Sequence, residues 1–114
     1  MSIKKSLEAY KVKKLNCAQS ILHGFGDSHN IDEEEILEAK KYGGGKAPEN
    51  RCGALHSALS LTSNESERKK IEESFEAEAG SLKCREIRSL GKLPCSGCVE
   101  LSARLLEESI IGKN

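Results

Sequence analysis

Apolar residues in this chain return at helical intervals from near its start to near its end, and no stretch alternates apolar with polar residues as a half-buried strand would. Leu7, Tyr10, Leu15, Ala18, Leu22 and Phe25 follow Ile3 at steps of three, four or five. Ile71, Phe75 and Ala79 repeat every four, and Val99, Leu101, Ala103, Leu105, Leu106, Ile110 and Ile111 carry the last segment. This periodicity predicts an all-α fold, a bundle of about five to six helices.

Polar caps and glycines divide the pattern. Asn16 is a good N-cap ahead of the run CAQSIL, so the first apolar stripe should break or kink at Lys14–Asn16, and a break would make Cys17 open a second helix. Gly24 and Gly26 are expected to close that segment. Asp32 with Glu33, Glu34 and Glu35 reads as an N-cap and an acidic first turn, complementing the positive end of a helix that should run to about Tyr42. Gly43, Gly44 and Gly45 end it, and after Pro48 the side chain of Asn50 is expected to cap a helix starting near Cys52. Ala54, Leu55, Ala58, Leu59 and Leu61 make that helix apolar on most sides, which places it centrally. A charged helix starts at Asn64 or Ser66 and ends or bends at Gly80. Ser81 is expected to cap a short helix through Cys84, Ile87 and Leu90, closed by Gly91, and Pro94 suits the start of the final helix.

The 114 residues fit one domain spanning 1–114, long enough to close a core without disulfides. Hydrophobic residues at 37% and charged residues at 32% fit a folded chain with a well-solvated surface. Eighteen basic side chains balance eighteen acidic ones, so overall charge gives no reason to bind nucleic acid or anionic lipid. The N-terminal apolar stripe is broken by charge, unlike a signal peptide, and no segment has the length and apolarity of a membrane span. The expected location is the cytoplasm. There, cysteines are more often metal ligands or redox centres than permanent cross-links, and an odd number leaves at least one thiol outside any set of intramolecular disulfides.

The five are Cys17, Cys52, Cys84, Cys95 and Cys98. Cys95-Ser-Gly-Cys98 at a helix start puts two thiols within mutual reach on the first turn, where free backbone N–H groups and the helix dipole stabilise a thiolate. A thiolate can attack a disulfide, and two at this spacing can also form half of a zinc or iron–sulfur site. The βαβ setting of a thioredoxin is missing. Cys52 is predicted at another helix start with His56 one turn on, where the imidazole could accept a thiol proton or bind metal, although a packing or surface role is the plainer reading. Cys17 occupies a third predicted helix start, and Cys84 lies on a short helix close to the C-x-x-C. Each can equally be a small buried hydrophobe. Gly43-Gly44-Gly45-Lys46 lacks the strand and spacing of a phosphate loop, and the acidic run at 32–35 reads as a solvated helix start.

Taken in order, Asn16-Cys17-Ala18-Gln19-Ser20, Gly43-Gly44-Gly45, Cys52-Gly53-Ala54, Phe75, Gly80, Cys84, Cys95 and Val99 resemble the landmarks of the C_GCAxxG_C_C family across nearly the whole chain. The resemblance implies a small helical prokaryotic protein, often from anaerobes, described as redox-active on the strength of its cysteines. It maps the four family cysteines to Cys17, Cys52, Cys84 and Cys95. Cys98 is then additional, Ser57 stands where the pattern expects glycine, and His56 where a small residue is usual. The function expected is dithiol–disulfide exchange or electron transfer, with Cys95 as nucleophile, Cys98 resolving, and Cys17, Cys52 and Cys84 clustered nearby. It needs no cofactor, and its partner would be a redox protein or a small thiol or disulfide. The alternatives are a zinc or iron–sulfur site held by three or four of the thiolates among Cys17, Cys52, Cys84, Cys95 and Cys98, and a helical interaction module whose cysteines mostly pack.

Overall fold

The computed structural model describes residues 2–43 and 46–111. Among them run eight α-helical segments: α1 (Ser2–Lys11), α2 (Cys17–Gly24), α3 (Gly26–His29), α4 (Glu33–Glu38), α5 (Gly53–Ser60), α6 (Glu65–Ala79), α7 (Cys84–Leu90) and α8 (Cys95–Ile111). Two 3-10 turns, Ala39–Tyr42 and Pro48–Asn50, lie between α4 and α5. The fold is all-α, with slightly more helices than the spacing suggested because short segments add to the count. The described residues contain no strand, and the one β-bridge joins Arg51 to Lys83.

Local capping explains most of the boundaries. Asn16 accepts a hydrogen bond from Gln19 N at 2.9 Å, and the Gln19 side chain accepts one from Asn16 N at 3.1 Å, a reciprocal box that starts α2. The preceding turn passes through Lys14 at φ 62°, so the first stripe breaks outright. Asp32 and Asn64 accept from Glu35 N and Glu67 N at the starts of α4 and α6. Gly80 and Gly91 end α6 and α7 in the left-handed region that favours glycine.

Several expectations need correction. Gly26 opens a one-turn helix rather than closing the segment before it, because the chain winds once more before Asn30 ends it at φ 52°. Asn50 does not cap α5; it lies in the Pro48–Asn50 turn at φ 59°, and Cys52 is the N-cap residue. Ser81 does not cap α7 either. Its Oγ accepts from Lys83 N and donates to Glu86 Oε1 at 2.6 Å, bracing the turn before the helix. Gly44 and Gly45 of the glycine run lie outside the described residues, as does the Ile111 side chain, and Ile110 is 42% exposed rather than in the core.

α8 packs against α1, α2, α5 and α6, and the largely buried α5 packs against both α2 and α8, the central place its apolar faces predict. Phe25, Leu55, Ile71, Phe75, Val99 and Leu106 fill the core between them. The buried edge of α6 is Ile71, Phe75 and Ala79, as its four-residue repeat requires. None of the helices among the described residues is long and apolar enough to cross a membrane.

Candidate thiol site

Four helices begin at a cysteine. Cys17 is the first residue of α2, Cys84 of α7 and Cys95 of α8, while Cys52 is the N-cap of α5. All four, with Cys98 one turn into α8, line a single cavity of about 330 Å³ whose remaining wall includes Ile87, Arg88, Leu93 and Pro94. All five are present as thiols.

Close contact between helix starts makes this convergence possible. A Cβ on Gly53 would lie 2.7 Å from Tyr42 O, 2.8 Å from Cys17 Sγ and 3.2 Å from Ala18 Cβ, so only glycine lets the start of α5 rest against the start of α2. One turn on, Ser57 is 2% exposed and donates to Ala18 O at 2.9 Å. The serine fits this interface by bonding to a first-turn carbonyl, where the family pattern has glycine. On the other side of α5, Cys52 N donates to Leu82 O at 2.9 Å, tying the site to the chain that leads into α7.

The thiols fall into two environments. Cys52 and Cys98 are buried, at 4% and 5% exposure, while Cys17, Cys84 and Cys95 are half-buried. Cys52 lies in a chain of thiol hydrogen bonds. The one from Cys17 pulls its pKa down, but donating to Cys98 and being buried prevail and push it up to about 12. The same bond from Cys52, acting against burial and the neighbouring thiols, holds Cys98 below an ordinary thiol. Within the inner pair Cys52 is therefore the thiol that holds its proton more firmly and Cys98 the one that ionises more readily. Burial raises Cys84, although Arg88 beside it pulls the other way.

Cys95 meets two donors. Arg88 Nη2 lies 4.0 Å from its Sγ. Tyr10 lines a cleft with Cys95, and burial, followed by the charge and hydrogen bonding of Cys95, raises the tyrosine. Neither residue belongs to a cysteine motif. Arg88 is one turn beyond Cys84 on α7, a spacing that could have indicated it, whereas Tyr10 arrives from α1 through tertiary packing alone.

His56 is not part of the site. It follows Cys52 by one turn, but its ring lies 4.6 Å from that of Tyr42 and lines a separate polar cleft with Arg51, Arg68 and Glu72. Burial, followed by the Arg51 cation, lowers its pKa, and Nδ1 is buried without a hydrogen-bond partner. It is a packing residue against Tyr42, and it joins no thiol in the cavity.

Among the described residues, no three Cys, His, Asp or Glu side chains are arranged as a ready metal site. The arrangement holds a buried hydrogen-bonded thiol pair next to a more accessible thiol with two donors, the components of thiol–disulfide chemistry. No curated protein and no solved structure matches the chain significantly. The family model described as "Putative redox-active protein (C_GCAxxG_C_C)" matches residues 15–109, from just before the cap of α2 to near the end of α8. The span takes in all five thiols and every helix start that carries one, and the chain belongs to the C_GCAxxG_C_C family.

Proposed function

We propose that this protein passes two electrons to a disulfide through its clustered thiols, with Cys95 attacking and Cys98 resolving. The observation that carries this reading is the convergence of five cysteines on one cavity in which Arg88 lies beside Cys95, with Tyr10 lining the adjoining cleft that Cys95 also borders. The Cys95 thiolate attacks one sulfur of the incoming disulfide, forming a mixed disulfide as the substrate S–S bond breaks. The departing thiolate takes a proton from water. Cys98, one helical turn away, then attacks Cys95 Sγ, closing a Cys95–Cys98 disulfide and releasing the second substrate thiolate. The substrate gains two electrons, the protein loses two, and an external dithiol donor restores the starting state. Cys52 supports the second step by hydrogen bonding to the Cys98 thiolate. A reducing compartment such as the cytoplasm would keep the resting protein in the thiol form.

Replacing Cys95 by serine should abolish reduction of a small disulfide. Replacing Cys98 by serine should trap the mixed disulfide on Cys95, where peptide mass mapping would find it. Unchanged turnover in the first variant, or an adduct on another cysteine in the second, would overturn the assignment.

The convergence of five thiols also supports a second reading, a zinc ion or iron–sulfur cluster held by thiolates among Cys17, Cys52, Cys84, Cys95 and Cys98. Zinc and iron content after purification without oxygen or chelators separates the two. A near-stoichiometric metal favours this second reading, and metal-free protein that cycles reversibly through a disulfide favours exchange.

A further inference from the structure

The thiol cavity opens beside a second cleft of about 570 Å³, and the two share Cys17, Arg88 and Cys95. The rest of the second cleft is Tyr10, Lys11, Lys14, Leu15 and Asn16, from the end of α1 and the turn into α2. In a chain with equal numbers of acidic and basic side chains, no Asp or Glu lines either space, and Lys11, Lys14 and Arg88 all border the region around Cys95. None of the three enters an ion pair found among the described residues. Lys14 also holds a left-handed backbone, at φ 62°, which a lysine adopts at a cost and which sets the turn that brings it beside the cleft.

Both volumes are of small-molecule size. A disulfide whose sulfur reached Cys95 would have one arm against the apolar wall of Ile87, Leu93 and Pro94 and the other among three cations. We infer that the cleft beside Cys95 seats the anionic arm of the substrate, which is a low-molecular-weight disulfide carrying a carboxylate or similar negative group. This rests on the exchange reading and adds the class of substrate. The cations act in two ways: they raise the local concentration of anionic disulfide, and they hold its charged end away from the sulfur being attacked. The reaction remains the balanced exchange above, with the anionic disulfide reduced to two thiols and the Cys95–Cys98 disulfide formed.

The test compares the protein with its Lys11→Gln/Lys14→Gln double variant, in which both changed side chains are exposed. Single-turnover rates are measured with dithiobis(nitrobenzoate), which is dianionic, and with dithiodipyridine, which is neutral. At low salt the double variant should react roughly tenfold more slowly with the dianionic reagent and within about twofold of the parent with the neutral one. Added salt should slow the parent's reaction with the dianionic reagent and have less effect on the variant. An equal effect on both reagents, or no effect on either, overturns the inference. Binding of thiodiglycolate, a dianionic thioether that cannot exchange, is measured by calorimetry on the Cys95→Ser protein with and without the two lysine changes. Binding weakened several-fold by the lysine changes supports the anion seat even if exchange itself fails, and binding that ignores them overturns it.

Discussion

Adding one methyl group at Gly53 should damage both the fold and the thiol site, and the structure sets the size of the effect. The new Cβ would lie 2.7 Å from Tyr42 O and 2.8 Å from Cys17 Sγ, each well inside ordinary contact. The Cys17 side chain can rotate away. The Tyr42 carbonyl cannot readily retreat, because the chain there is wedged from the other side: a Cβ on Gly43 would lie 2.6 Å from Asn16 Nδ2, and that same Nδ2 donates to Lys40 O at 2.9 Å. Overpacking of this kind costs roughly 1–3 kcal/mol. Alanine regains up to about 1 kcal/mol through its helix preference, less at the first residue of a helix. The balance for Gly53→Ala is a loss of about 1–2 kcal/mol, or about 4–8 °C in Tm for a domain of this size. Gly26→Ala is the control, since its Cβ would meet nothing closer than Ile31 O at 3.8 Å, and it should leave Tm unchanged or slightly raised. Thermal unfolding of the reduced proteins is the assay, with alkylation rates of Cys17 recorded in parallel and expected to change in Gly53→Ala. If Gly53→Ala matched the parent in Tm, the close approach of α2 and α5 would not be what glycine is needed for.

Two further outcomes follow from the buried contacts. Cys98 lies below an ordinary thiol, so its contribution to stability is present above the unfolded value and is lost as pH falls through its folded pKa; Cys52, moved from 9.0 to about 12, contributes below the unfolded value and loses that as pH rises through the folded one. Urea stability of the parent minus that of Cys52→Ala should therefore peak near pH 9 and fall toward 12, and a flat difference would mean that the hydrogen bond between the two thiols does not shift them in opposite directions. Ser57→Ala removes the buried bond to Ala18 O and should cost about 1 kcal/mol by urea unfolding, with no loss of the thiol cavity; an unchanged midpoint would show that the bond contributes nothing.

Much of the fold was legible because helix ends are local events. Asn16, Asp32 and Asn64 each act within three residues, and Gly80 and Gly91 relieve strain at their own positions, so sequence spacing located them. Ser81 and Asn50 misled for the opposite reason. Both are good capping residues, but each is engaged by a turn whose course depends on where the following helix must dock. The site followed the same division. Cysteines at helix starts could be read from the chain, whereas the donors Tyr10 and Arg88 and the separation of His56 from the thiols depend on how α1, α5 and α7 meet. Sequence proximity paired Cys98 with Cys95, yet the hydrogen-bonding partner of its thiol is Cys52, which arrives on a different helix.

That difference separates thiols that are chemically identical in the chain. A cysteine at a helix start gains from the local dipole whatever surrounds it, so position alone would make Cys17, Cys52, Cys84 and Cys95 alike. Burial and neighbours then differentiate them. Cys52 is enclosed and holds its proton, Cys84 is raised by burial despite the adjacent Arg88, and Cys95 has partial access, a guanidinium and a phenol. Cys98 lacks a helix start of its own but accepts a hydrogen bond from Cys52 and is buried, which is why the proposed exchange makes it the resolving thiol rather than the one that meets substrate first. In the proposed exchange the order of attack would be set by access at the rim and by hydrogen bonding inside, and Cys98 would be the residue that connects them.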